Sequence, residues 1–326
     1  MRAVVNTRAG GPEVLEEHLR PIPEPGLGQL RVRVRASALN RADMIQRMGN
    51  YPAPPGASPD IPGLEYAGEV DAVGDGATLW PVGSRVMGIV GGGAHAEYVC
   101  VHEREAMPMP RGMSFEDAAA IPEAFLTGYD ALFRQLDVRL GERVVVHAIG
   151  SGVGTATLQL ALLAGASVLG TSRSASKLER ARALGLVHAV DTSTSDWGAQ
   201  VEALLGANAV HAIVDLLGGD YLRDNLRVLA PRGRLVSVGL TAGSRTDIDL
   251  GVVMRKRLTI IGTALRSRAM EEKISLAREF SQRVVPLFES GKLQPVIERV
   301  LPFSEVRTAH EQMAANTTFG KLVLRW

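Results

Sequence analysis

A glycine-rich turn follows a short apolar run near the middle of the chain and could bind a phosphate group. Residues 144 to 147 read Val-Val-Val-His, and the run Gly150-Ser-Gly-Val-Gly154 begins three residues later. Glycines let the backbone turn tightly and approach a pyrophosphate, whose charge suits the N–H groups at a helix start. Tight turns also use glycine for steric reasons, so the surrounding elements must confirm the reading. The run predicts that Gly150, Ser151, Gly152, Val153 and Gly154 bind a dinucleotide.

The segment after the next apolar run indicates which dinucleotide binds. A chain that binds NAD typically places Asp or Glu there, to accept hydrogen bonds from the ribose hydroxyls. This chain reads Gly170-Thr-Ser-Arg-Ser-Ala-Ser-Lys177 and has no acid in the segment. Ser172, Arg173 and Lys177 offer a hydroxyl and two cations, which suit a 2′-phosphate. We therefore predict NADPH as the cofactor; a merely solvated basic helix start is the alternative.

The elements around the turn predict a doubly wound parallel sheet of the Rossmann type. Short apolar runs alternate there with helical segments, as such a sheet requires. The strand candidates are Arg143–His147, Ser167–Thr171, Val187–Val190, Ala209–Asp215, Arg234–Val238 and Leu258–Gly262. The uncharged stretch from 144 to 172 is interrupted by glycines, so buried strands and a helix explain it better than a membrane span.

The first third of the chain predicts a second, β-rich domain. Leu30, Val32 and Val34 alternate with three arginines, which is the period-2 pattern of a half-exposed strand. The tail after Arg266 contains helix and strand patterns but is short for an independent domain. We predict a division into residues 1–121, a Rossmann domain at 122–264, and a return segment at 265–326 that completes the first domain.

Composition excludes several function classes. The chain has 326 residues and a formal net charge of +1, so neither nucleic acid nor an anionic membrane is expected as the main partner. A single cysteine fits a reducing compartment, and the N-terminal residues show no apolar signal region. We expect a cytoplasmic protein that acts on a small molecule.

Several blocks together resemble the zinc-free quinone oxidoreductase branch of the medium-chain dehydrogenase/reductase superfamily. They are Ser37-Ala-Leu-Asn-Arg-Ala-Asp43, the loop from Tyr51 to Gly56, Ala119-Ala-Ile-Pro-Glu-Ala124, Ser151-Gly-Val-Gly154 and Gly320-Lys-Leu-Val323. The resemblance implies an α/β fold in which a Rossmann domain is inserted in a GroES-like catalytic domain. It also implies NADPH dependence, quinone reduction and a homodimer, for which we expect contact through the strand at 258–262.

Two positions of the resemblance bear on metal binding. Asn40 and Leu64 stand where related zinc enzymes carry metal ligands, and Leu cannot ligate. A catalytic zinc needs about three protein ligands, and a four-cysteine site is impossible with Cys100 alone. We therefore expect no metal.

The resemblance also implies roles for individual side chains. Asn40 and Tyr51 would face the nicotinamide and the substrate, while Thr127 and Lys321 would join the glycine turn in contacting NADPH. Without zinc, hydrogen-bond donors must stabilise negative charge on the substrate oxygen, and an amide and a phenol can do so. Alternatively, Asn40 only caps the following helix, and Tyr51 only fills an apolar space.

Two other functions remain open on the same scaffold. A reductase of activated C=C bonds, in 2-alkenals or enoyl thioesters, could use the same hydride. A non-catalytic NADPH-binding protein is the second possibility. We expect structural roles for Glu65 and His147 and inert behaviour of Cys100. Arg266 and Arg268 could help hold a phosphate or cross the domain cleft, and surface arginines are the alternative.

Overall fold

The computed structural model describes residues 1–193 and 196–326, which form two compact units. One unit contains Met1–Leu126 and Leu265–Trp326, and the other contains Thr127–Ala264. The tail thus belongs with the N-terminal unit. The division predicted from sequence placed residues 122–126 with the Rossmann domain, whereas these compact units place them with the first part of the chain.

The described residues contain strands β1 to β15 and helices α1 to α11. The strands are Arg2–Asn6, Leu15–Leu19, Gln29–Ala38, Glu65–Val73, Arg85–Ile89, Tyr98–His102, Met107–Pro108, Arg143–Val146, Ser167–Ser172, His188–Asp191, Val210–Asp215, Leu229–Ser237, Thr259–Gly262, Ile297–Pro302 and Lys321–Arg325. The helices are Arg41–Arg47, Phe115–Ala119, Pro122–Tyr129, Gly152–Leu163, Ala175–Arg182, Trp197–Leu205, Tyr221–Val228, Leu250–Lys256, Met270–Arg283, Val285–Glu289 and Val306–Ala314. A π-helical stretch, Asp130–Gln135, continues α3.

The first unit is built on a seven-stranded sheet with β3 near its centre. Its order is β14-β15-β3-β4-β5-β7, and β6 also pairs with β3. The predicted alternation in β3 is confirmed, because Leu30, Val32 and Val34 are buried in one apolar cluster. The last strand, β15, pairs antiparallel with β3 and parallel with β14. This pairing brings the end of the chain next to residues near position 40.

The second unit is a six-stranded parallel sheet in the order β10-β9-β8-β11-β12-β13. Successive strands run outward from β8 on one side and from β11 on the other, so the strand order reverses between β8 and β11. Ligands of open α/β sheets bind outside the carboxyl ends of the strands at such a reversal. The glycine turn follows β8 directly, which confirms the Rossmann-type fold predicted from the strand pattern.

Two predicted elements differ in extent. The strand predicted over 94–101 begins only at Tyr98, because the backbone of His95 bonds instead with Val4 and Pro62. The helix predicted over 270–289 is split at Val284, where Pro286 removes a backbone N–H donor from the following turn. Within the described ranges, no helix is long and apolar enough to cross a membrane.

Candidate active site

The glycine turn of the second unit has free backbone donors at a helix start. Ser151 precedes α4 in an extended conformation, and its hydroxyl oxygen accepts from the Gly154 N–H at 2.9 Å. For the Gly152 and Val153 N–H groups, the described residues offer no acceptor, as expected for the first turn of a helix. A Cβ at Gly154 would lie 2.4 Å from the Ala148 carbonyl oxygen, so only glycine permits this close approach. The turn therefore fits a pyrophosphate.

The end of β9 presents the polar groups predicted to select the cofactor. Ser172 is the last residue of β9 and is partly exposed, and its hydroxyl oxygen accepts from the Ser174 N–H at 3.1 Å. Arg173 is exposed, whereas Lys177 lies in the first turn of α5 and is partly buried. Thr127, the first residue of this unit, is only 7% exposed. The contacts predicted for these residues with NADPH stay predictions.

A buried lysine joins three distant segments in the first unit. The Lys321 ammonium lies 2.6 Å from Glu65 Oε1, 2.6 Å from Asn40 Oδ1 and 2.7 Å from the Leu39 carbonyl oxygen. Asn40 Nδ2 donates to the same Glu65 oxygen at 2.9 Å. Glu65 is fully buried and Lys321 is 4% exposed. The ion pair is thus shielded from water and fixes the amide of Asn40 in one orientation.

This arrangement bears on two predicted roles. The side chain of Asn40 contacts Glu65 and Lys321, and Asn40 also forms a capping box with Asp43, whose carboxylate accepts from the Asn40 backbone N–H at 2.7 Å. The three hydrogens of the Lys321 ammonium are taken up by its three partners. These contacts disfavour a bond from the Lys321 side chain to the cofactor, and we assign it instead to positioning Asn40.

The same residues do not fit a zinc ion. A cation, the Lys321 ammonium, already lies between Asn40 Oδ1 and the Glu65 carboxylate. Leu64 is 1% exposed and contributes only apolar surface. No cluster of three metal-ligating side chains occurs in residues 1–193 and 196–326. The donor set is that of a buried ion pair rather than of a metal centre.

Arg266 holds the loop that carries Tyr51. Its guanidinium donates to the Gly91 carbonyl at 2.8 Å, to the Tyr51 carbonyl at 3.1 Å and to Gln46 Oε1 at 2.6 Å. The guanidinium carbon also lies 4.7 Å from the centre of the Tyr51 ring. Arg266 is only 8% exposed, so of the alternatives left open for it the surface arginine is wrong. The sequence carried no signal for this role, since its partners come from helix α1 and from two separate loops.

Two acids beside this cluster have raised pKa values. Burial raises the pKa of Glu123 to about 8, and the neighbouring Glu65 carboxylate adds to the rise. Burial likewise raises the pKa of Asp43 to about 6, despite the N–H groups of Asn40 and Gly63 that it accepts. Sequence reasoning missed Glu123 as a functional candidate. The available signal was a single acid in the apolar run from Ala118 to Leu126.

Other expectations can be compared directly with the structure. His147 is a satisfied core histidine, as predicted, with its ring nitrogens 2.8 Å from Thr171 Oγ1 and 2.7 Å from Asn225 Oδ1. Cys100 is partly exposed on β6, and burial raises the pKa of its thiol, which disfavours the reactive thiolate. Glu65 has the structural contacts that were expected of it.

Comparison with known proteins identifies the scaffold. The family "Alcohol dehydrogenase GroES-like domain" matches residues 26–111, and "Zinc-binding dehydrogenase" matches residues 152–282. The chain is 35% identical over 318 residues to a quinone oxidoreductase from Pseudomonas aeruginosa, covering 97% of this chain and 96% of that protein. It is 33% identical over 341 residues to the synaptic vesicle membrane protein VAT-1 homolog from Mus musculus, covering 99% and 83% respectively.

Solved structures give the same result. The quinone oxidoreductase of Escherichia coli in complex with NADPH superposes with a TM-score of 0.90 at 27% identity, covering 100% of both chains. A structure described as an NAD-dependent alcohol dehydrogenase has a TM-score of 0.87 at 35% identity, also covering both chains fully. The CurK enoyl reductase has a TM-score of 0.87 at 27% identity, covering 99% and 98%. The chain belongs to the medium-chain dehydrogenase/reductase superfamily, with quinone oxidoreductases among its relatives, and is an oxidoreductase of that superfamily.

Proposed function

We propose that this protein is a zinc-independent oxidoreductase that transfers hydride from NADPH to quinones. The buried triad of Asn40, Glu65 and Lys321 carries the proposal, since Asn40, at a position where the resemblance places a metal ligand of zinc enzymes, is bonded here to an ammonium and a carboxylate. The likeness to quinone oxidoreductases supports the substrate class. The cofactor supplies the hydride from its nicotinamide ring.

The second unit would hold the cofactor. The N–H groups of Gly152 and Val153 would bind the pyrophosphate at the start of α4, where the helix dipole favours negative charge. Ser172, Arg173 and Lys177 would bind the 2′-phosphate, since no acid follows β9 to bind the ribose hydroxyls instead. This lack of an acid favours NADPH over NADH.

The first unit would orient and polarise the substrate. One N–H of Asn40 is committed to Glu65, whereas its contact with the Ala38 carbonyl is long, at 3.4 Å. The N–H that makes this long contact can therefore donate to a substrate oxygen that gains negative charge, with the amide held in its orientation. Tyr51 offers a phenol on a loop fixed by Arg266. A rigid, hydrogen-bonded donor loses little entropy on binding, which suits it for positioning.

The test is cofactor oxidation by the purified protein with 9,10-phenanthrenequinone, 1,2-naphthoquinone and trans-2-hexenal in parallel. Turnover of the quinones with NADPH, and much slower turnover with NADH, is the expected result. Turnover of the alkenal alone would assign the protein to C=C reduction. The similarity to an enoyl reductase supports this alternative. Binding of NADPH without turnover of any of them would favour a non-catalytic role.

We further propose a cytoplasmic homodimer formed through β13. This strand is the edge of the parallel sheet, and Ile260 is 40% exposed there. Nearby α8 exposes Leu250 and Met254 by 63% and 76%, which leaves apolar surface for a second copy to cover. Light scattering should give twice the 34.8 kDa chain mass, and Ile260→Lys should give the monomer. A monomeric wild type would contradict the proposal.

A further inference from the structure

Glu123 is placed beside the triad by its own backbone. It is the second residue of α3, and its N–H donates to Glu65 Oε2 at 2.8 Å. The other oxygen of Glu65 accepts from Asn40 and Lys321. A single carboxylate thus joins the start of α3 to the amide that we propose for substrate binding. Glu123 and Asn40 are therefore fixed on the two sides of one buried group.

The side-chain carboxyl of Glu123 itself is unpaired. In the described residues no donor bonds to it, although the residue keeps part of its surface exposed. The titratable and charged groups that act on it are Glu65, Asp43, Lys321, Arg266 and Tyr51. The two cations among them are bound to other acceptors, Lys321 to the triad and Arg266 to the loop carbonyls and Gln46. A carboxyl without a donor or a free cation favours its neutral, protonated form.

We propose that Glu123 is the proton donor that completes reduction of the substrate. This inference rests on the proposed function, which supplies the hydride from reduced nicotinamide cofactor. Hydride transfer adds two electrons and one hydrogen to the quinone and leaves an oxyanion. The O–H bond of Glu123 then breaks, a new O–H bond forms on that oxyanion, and water later returns a proton to the carboxylate.

Other groups near the triad are poorer acids. Burial raises the pKa of the Tyr51 phenol above its ordinary range, and Arg266 only partly opposes this. The amide of Asn40 does not ionise, and the ammonium of Lys321 is fully bonded. By contrast, the pKa of Glu123 is near 8, close to the operating pH, where a general acid works best. Glu123 thus combines the right acidity with an unbonded proton.

The inference is tested with Glu123→Gln, which keeps the size and a hydrogen-bond donor but cannot release a proton. We compare tetramethyl-1,4-benzoquinone, whose oxyanion product is basic, with 1,4-benzoquinone, whose product is less basic. The expected loss in kcat is about 100-fold for the first quinone and clearly smaller for the second. The fall of wild-type kcat above about pH 8 should disappear in the variant. Equal losses for both quinones, or an unchanged pH profile, would overturn the inference.

A second measurement does not depend on turnover. The folded pKa of Glu123 lies above its ordinary value of 4.5. Its contribution to stability is therefore fully present below pH 4.5 and is lost as the pH rises through about 8. Relative to wild type, the Tm of Glu123→Gln should be higher at pH 9 than at pH 5, whereas the exposed Glu17→Gln control should show no such change.

These two results separate failure of the inference from failure of the proposed function. A wild type that reduces no quinone refutes the proposed function, and proton delivery by Glu123 falls with it. An active wild type with no pH-dependent Tm difference refutes only the role of Glu123. If Glu123→Gln does not fold, Glu123→Asp is used, and the carboxyl stretch of the wild type is titrated by infrared difference spectroscopy. Loss of the protonated carboxyl band well below pH 8 would then contradict the inference.

Discussion

Replacing Lys321 by Met tests whether the triad positions Asn40. Met keeps the apolar stem of the side chain but removes the charge and all three hydrogen bonds. At 2.6 Å and an effective dielectric constant of about 20, the Coulomb attraction to Glu65 is about 6 kcal/mol. Desolvation offsets part of this, so breaking the pair by removing one partner typically costs about 3–5 kcal/mol. We expect the free energy of unfolding to fall by about 4 kcal/mol.

Thermal unfolding followed by circular dichroism measures this loss. At about 2–4 °C per kcal/mol for a unit of this size, the Tm should drop by about 10 °C. The control is the double variant Glu65→Gln/Lys321→Met, which leaves no uncompensated charge and should recover much of the loss. A Tm within 2 °C of wild type for Lys321→Met would refute the reasoning. So would a double variant whose loss of stability equals the sum of the losses of the two single variants.

The same variant separates positioning from cofactor binding. A Lys321 that only positions Asn40 leaves the Kd for NADPH unchanged, because its ammonium is fully bonded within the first unit. The kcat should fall, since Asn40 loses its fixed orientation. Fluorescence titration with NADPH at a temperature where the variant is folded gives the Kd. A strong rise in Kd with unchanged kcat would instead support the cofactor contact predicted from sequence.

Three further predictions concern other parts of the chain. Arg173→Ala should raise the KM for NADPH about 10-fold or more and leave that for NADH unchanged, since a charged hydrogen bond is lost; steady-state kinetics with both cofactors checks this. In Gly91→Ala the new Cβ would lie 2.8 Å from Pro54 Cγ, displacing the loop, costing about 1–3 kcal/mol and raising the quinone KM; denaturant unfolding and kinetics measure both effects. Burial lowers the pKa of His310 from its ordinary 6.5 to about 3. The folded protein therefore loses stability as the pH falls from about 6.5 to about 3, and His310→Gln should make the accompanying decline in Tm less steep.

The fold could be predicted because the patterns that determine its strands and helices involve residues close together in the sequence. The alternation of Leu30, Val32 and Val34 with arginines sets one face of β3 against the core, and the period-2 pattern is visible in six residues. The strand, turn and helix from Arg143 to Leu163 follow each other without interruption. Their order alone placed the glycine turn at the carboxyl end of the first strand of the parallel sheet, and the structure shows that this strand is central. Tertiary contacts had only to confirm it.

The triad could not be predicted because its members are brought together only by strand pairing. Asn40 and Glu65 lie 25 positions apart, and Lys321 lies 281 positions from Asn40. They meet because β15 and β4 flank β3 on opposite sides. A resemblance indicated that no zinc ligand stood at Asn40, but only geometry shows the ammonium that lies beside it. The same holds for Arg266, whose three acceptors belong to helix α1 and to two loops that share no sequence pattern.

The most direct test of zinc-independent quinone reduction is NADPH oxidation by protein treated with a chelator and analysed for metals. With 9,10-phenanthrenequinone as acceptor, we predict full activity at less than one zinc per ten chains, and slow turnover with NADH. Stoichiometric zinc together with loss of activity on its removal would contradict the account. So would a protein that binds NADPH and reduces no quinone.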